Sequence, residues 1–121
     1  MRRRPALPTR TRPDRVFDGD HPYVLTTRQN LASAYQDAGD LRRAIPLYEA
    51  TLADRVRVLG STYVDTLVTR NNLASAYNSA GERERAILLY EQLLTDCANV
   101  LGDAHPITRS VRANLEAVRH R

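Results

Sequence analysis

Lysine is absent from the 121 residues, so all eighteen basic side chains are arginine. Tryptophan is absent too, and cysteine occurs once, as Cys97. A single cysteine excludes an internal disulfide. Without a nearby His or Cys it forms no metal or redox pair, and it reads as a packed thiol. No apolar run approaches the roughly 20 residues of a membrane-spanning helix, and the N-terminus offers no apolar core of an export signal, so a cytoplasmic location is expected. Gly-rich phosphate loops, nucleophile elbows and metal-ligand spacings are missing, and no nucleophile stands beside a base. Neither catalysis, a cofactor nor a metal is expected. His21 and His105 both precede proline and read as helix-start residues.

The length suits one domain with a real core, and 42% hydrophobic residues suit a folded chain. The net charge of +4 is unevenly spread. Residues 1–17 hold six arginines against one aspartate, net +5, which leaves the other 104 residues at −1. A Pro/Arg/Thr stretch without helical or strand period reads as a basic, disordered leader over 1–17, with the folded domain over 18–121. Such a leader could hold RNA, DNA or anionic lipid through counterion release. The near-neutral body makes nucleic acid the weaker partner class, and no membrane partner is expected.

The dominant feature is repetition. Asn30, Asn72 and Asn114 are spaced by 42 residues, and residues 20–59 laid on 62–101 agree at 21 of 40 positions. "RQNLASAYQDAG" at 28–39 returns as "RNNLASAYNSAG" at 70–81. A third copy begins at Gly102 and stops halfway. The units run over about 20–59, 60–101 and 102–121.

Each full unit reads as helix, tight turn, helix. Asp20 and Pro22 suit a helix start, Gly39 and Gly81 suit its end, and Gly60 closes the second helix of the first unit. At about 100° per residue, Thr69, Leu73, Ala76 and Tyr77 share one side of a helix, while Asn71, Asn72, Ser75 and Asn78 share the other. Small Ala44 and Ala86 allow close helix approach. A helix pair of this kind cannot bury its apolar face alone, so neighbouring pairs must stack, and the fold class is all-α.

The spacing Leu31-Ala32-x-x-Tyr35, Gly39, Ala44, Tyr48, repeated as Leu73-Ala74-x-x-Tyr77, Gly81, Ala86, Tyr90, resembles the tetratricopeptide repeat. The longer 42-residue unit is similar to the variant of kinesin light chains and of repeat arrays in many bacterial regulatory proteins. The resemblance covers residues 20–116. The pattern departs at Thr51 and Leu93, where alanine is usual, and at Arg119, where tyrosine is expected. It implies a right-handed superhelical stack of about two and a half repeats. Its first helices would line a concave groove for an extended peptide or a partner helix, making the chain a protein–protein interaction scaffold.

Asn and Ser are poor helix formers, so Gln29, Asn30, Ser33, Gln36, Asn71, Asn72, Ser75, Asn78 and Asn114 cost helix stability that something must offset. Amides carry both a donor and an acceptor and can satisfy the backbone of a ligand strand. They can also ladder with one another between helices and only order the stack. Arg28, Arg70 and Arg112 recur as well, either as clamps for acidic ligands or as ion pairs with the recurring Glu49 and Glu91. Gln29, Asn71 and Ala113 stand where some relatives carry a carboxylate-binding Lys or Arg, so carboxylate capture is not expected. The half unit at the C-terminus predicts an uncovered apolar face there. That points to self-association through this end, or to a piece of a longer array.

Overall fold

The computed structural model describes residues 21–120. The basic stretch 1–17 and the expected cap Asp20 lie outside the described residues. Five helices follow in order: α1 (Pro22–Asp37), α2 (Leu41–Leu59), α3 (Val64–Ser79), α4 (Arg83–Leu101) and α5 (Pro106–Arg119). They form an all-α repeat stack of two helix pairs and a final single helix.

Local chemistry sets the helix ends. His21 caps α1, its Nδ1 accepting from the Tyr23 amide at 3.1 Å, with Pro22 next in line. His105 does the same for α5, accepting from the Ile107 amide at 3.0 Å. Both histidines are therefore helix-start residues. The middle unit has Tyr63-Val64 in place of the His-Pro pair, and α3 starts after Tyr63 with no side-chain cap. Between the helices of a pair, the Asp40 amide donates to the Tyr35 carbonyl at 2.8 Å and the Glu82 amide to the Tyr77 carbonyl at 2.9 Å. This closure wraps the chain over the helix end and needs a left-handed residue inside it. Gly39 and Gly81 supply that at φ +82° and +85°.

Consecutive helices pack in sequence, and α1 also touches α3, and α3 touches α5, whereas α2 and α4 do not meet. The row of first helices is thus the more closely spaced one, which puts it on the inner side of the stack. Fully buried Ala32, Ala74, Ala44 and Ala86 permit this approach. Tyr48 and Tyr90 fill the same place in the two pairs, each almost wholly buried. Thr51 and Leu93, the two departures from alanine, are also fully buried. Cys97 is packed in the same core, and burial pushes its thiol up.

The expected apolar end face is not on α5. That helix turns Val111, Leu115 and Val118 inward and leaves Arg109, Ser110, Ala113, Glu116 and Ala117 exposed. Its last turn is closed from the side, because Arg83 donates to the carbonyls of Val118 and Arg119, both at 2.9 Å. The exposed apolar face lies at the other end, on α1, where Leu31 is 45% exposed although its counterpart Leu73 is 5% exposed.

Candidate peptide-binding face

A directed chain of hydrogen bonds runs along the inner row. The Ser33 hydroxyl pairs with the Tyr48 hydroxyl at 2.9 Å, and Tyr48 donates to Gln36 Oε1 at 2.9 Å. Gln36 Nε2 then donates to Ser75 Oγ at 3.2 Å, and Ser75 bonds the Tyr90 hydroxyl in turn. Because Tyr48 spends its proton on Gln36, Ser33 is its donor. Burial raises the phenol pKa of both Tyr48 and Tyr90, while the serine bonds pull the other way. Each tyrosine of a second helix thus anchors polar side chains of the first helix in its own pair, and the Gln36–Ser75 bond ties one repeat to the next.

The amides divide into two groups. Gln29 accepts from Thr69, Asn114 donates to Asn71 at 3.1 Å, and Gln36, Ser33 and Ser75 belong to the chain just described. Gln29 and Gln36 bridge α1 to α3, Asn71 and Asn114 bridge α3 to α5, and Ser33 bonds Tyr48 of α2. Asn78 is half-buried and engaged as well. Asn30 and Asn72 differ: Asn30 is exposed, Asn72 half-buried, and neither side chain holds a hydrogen bond among the described residues. Asn114, their counterpart in the third unit, faces α3 through its bond to Asn71.

The recurring arginines are paired, though not with the expected partners. Arg28 bonds Asp54 at 3.0 Å, and Arg70 bonds Asp96 at 2.8 Å and the Ser61 carbonyl at 2.9 Å. Arg112 reaches Asp103, just before α5, at 3.4 Å. Asp54 and Asp96 also recur at the 42-residue spacing. Asp54 lies five residues after Glu49, about 140° further around α2, so the two acids face opposite neighbours. Asp54 looks back to α1 of its own pair, and Glu49 looks forward to α3.

The forward-facing acids have their own donors. The Tyr77 hydroxyl donates to Glu49, and Arg119 donates to Glu91. Tyr77 is pushed up to about 12 by burial and by its bond to Glu49. Sequence reasoning missed these pairs, although the recurrence of Glu49 and Glu91 carried the signal.

Comparison with known proteins agrees with this geometry. The sequence matches the family described as tetratricopeptide repeat over residues 30–97, more than half the chain. Among solved structures, the nearly identical TPR-like repeats of a Podosopora anserina kinesin-light-chain protein superpose with a TM-score of 0.74 at 28% identity, over 88% of this chain and 51% of that one. A single-substitution variant of those repeats gives a TM-score of 0.75 at 28% identity, over 84% of this chain and 48% of that one. The chain thus spans about half the length of these structures. No curated protein matches the sequence. No helix among the described residues is long and apolar enough to cross a membrane. Repeats of this kind serve in general as protein–protein interaction scaffolds, and on the duplication, the helix pairs and the family match together, the chain belongs to the tetratricopeptide repeat family, in its kinesin-light-chain-like form.

Proposed function

We propose that the chain is a binding scaffold whose inner row of first helices, α1, α3 and α5, receives an extended segment of a partner protein. The observation that carries this reading is the pair Asn30 and Asn72, whose amides hold no hydrogen bond among the described residues, on a row where the neighbouring Gln29, Gln36, Asn71 and Asn114 are bonded. An amide held there can give and take one hydrogen bond each with a ligand backbone. The arginines nearby are occupied by Asp54, Asp96 and Asp103, so the face recognises a peptide without demanding an acidic one. The reading assigns no catalysis. Self-association through the C-terminal end is not part of it, because α5 turns polar residues and alanines outward.

The test starts from peptides selected against the full chain out of a displayed random library. Each amide contributes about 0.5–1.5 kcal/mol, so Asn72→Ala should weaken a selected peptide about threefold to tenfold, with helicity and melting temperature unchanged. Undiminished binding with a collapsed melting temperature would mean that the amides only order the stack.

A further inference from the structure

We propose that the inner row selects a basic partner, an extended segment of another protein with two arginine or lysine side chains about seven residues apart. This rests on the inner row being the binding face and adds the charge of what it binds. Helix angle places two carboxylates on the row. Seven residues turn a helix through about 700°, so a residue seven before or after an inner asparagine shares its face. On α3 that residue is Asp65, seven before Asn72, and on α1 it is Asp37, seven after Asn30. Arg28 and Arg70 lie about 160° around from those asparagines, on the far side of their helices.

At the N-terminal end of the row, Arg55 of α2 reaches between the two first helices. Its guanidinium lies 3.5 Å from the Thr26 hydroxyl of α1 and 3.5 Å from the Asp65 carboxylate of α3, so these two residues flank one group. The Arg55 side chain is 6% exposed and that of Asp65 58%, so an incoming ligand meets the carboxylate and not the guanidinium. Tyr23, seven residues before Asn30, stands at the same level on α1 and is 72% exposed, with the His21 ring set at 87° to its own. An aromatic face beside a carboxylate holds a guanidinium or an ammonium from two sides.

At the other end, Asp37 is the last residue of α1 and is exposed, with no hydrogen bond or ion pair among the described residues. A carboxylate there opposes the helix dipole, and α1 carries no basic residue in its last turn to offset it. A ligand cation supplies what this helix end lacks. Asp37 also stands close to the hydrogen-bonded chain of the row: burial raises the Tyr48 phenol most, the Ser33 bond opposes this, and the Asp37 charge raises it further. The counterpart of Asp37 on α3 is Ser79, so this charge belongs to no stacking contact that the repeats share.

The two ends fix the spacing of the cations. Asp65 lies at the level of Tyr23, fourteen residues before Asp37, which is about 21 Å along the helices, and the two first helices are about 9 Å apart. The diagonal is about 23 Å, and an extended chain spans it in about seven residues. The backbone between the cations then passes over Asn72 and Asn30, whose amides can bond its N–H and C=O groups.

The probe is a fluorescein-labelled twelve-residue peptide of serine, threonine and alanine with arginines at its third and tenth positions; its controls carry glutamates there, or arginines three apart. Anisotropy with the full chain in 50 mM salt should show the arginine peptide bound about tenfold or more tighter than the glutamate one, and about threefold tighter than the close-spaced one. Asp37→Asn and Tyr23→Ala should each weaken it about threefold, and the Asp37 effect should fade in 0.5 M salt. Both residues are exposed, so the circular dichroism melt should not change. No preference for arginine over glutamate, or a preference that Asp37→Asn and Tyr23→Ala leave intact, overturns the inference. Library-selected peptides that Asn72→Ala weakens but that carry no excess of basic residues overturn it too, while leaving the binding face in place. Selected peptides indifferent to Asn72→Ala count against the face itself, and the inference falls with it. If the arginine peptide binds only once the six arginines of residues 1–17 are changed to serine in the full chain, the occupant is the chain's own basic stretch and the proposal of a partner fails.

Discussion

Arg119 donates to Glu91 at the place where, one repeat earlier, Tyr77 donates to Glu49. Both donors lie 28 residues after their acid, so the last unit changed the residue and kept the bond. The departure from the family pattern at Arg119 is therefore a substitution of one hydrogen-bond donor for another. Arg119→Tyr should change stability by no more than about 0.5 kcal/mol, while Arg119→Leu should lose about 1 kcal/mol, both read from urea unfolding.

The Tyr77–Glu49 bond sets a pH dependence. Tyr77 titrates near 12 in the folded chain, above the ordinary tyrosine value of 10.0. Between these values the folded state holds a proton that the unfolded state releases, so stability falls as pH rises from 10 to 12. Below pH 10 the contribution is fully present. Tyr77→Phe should lower the melting temperature at pH 8 and flatten its decline between pH 10 and 12, as measured by circular dichroism.

Much of the fold is legible in the sequence because stacking uses residues that repeat without change. Leu73, Ala74, Tyr77 and Gly81 state the helix, its buried side and its end, and the structure uses each in that way. The site was less legible. Gln29 and Asn30 look equivalent in sequence, yet one is tied to Thr69 and the other holds no hydrogen bond among the described residues. That difference depends on how closely α1 approaches α3. The arginine partners are ambiguous in the sequence because acids recur at two places on the second helix, and the helix angle between Glu49 and Asp54 tells which neighbour each one faces. A count of units does not show which side of a final helix is apolar, and α5 turns its apolar side inward.

The phrase written twice should have two energetic meanings. Leu73 is buried between α2 and α4 and Leu31 is half in solvent, so Leu73→Ala should cost about 2–4 kcal/mol and Leu31→Ala less than about 1 kcal/mol. Paired urea titrations of the two variants check this.

Thr51 occupies a fully buried place with its hydroxyl oxygen unbonded among the described residues. A buried hydroxyl without a partner is destabilising, and valine has nearly the same shape. Thr51→Val should therefore raise stability by about 1 kcal/mol, seen as a higher urea midpoint at constant slope.

Whether the inner row of first helices is the binding face is decided by amide chemical-shift mapping of the full chain with a library-selected peptide. The predicted result is a set of shifts concentrated on α1, α3 and α5 around Asn30, Asn72 and Asn114, including the side-chain amides of Asn30 and Asn72. Shifts concentrated on the outer residues of α2 and α4, with those two side-chain amides unmoved, would contradict it.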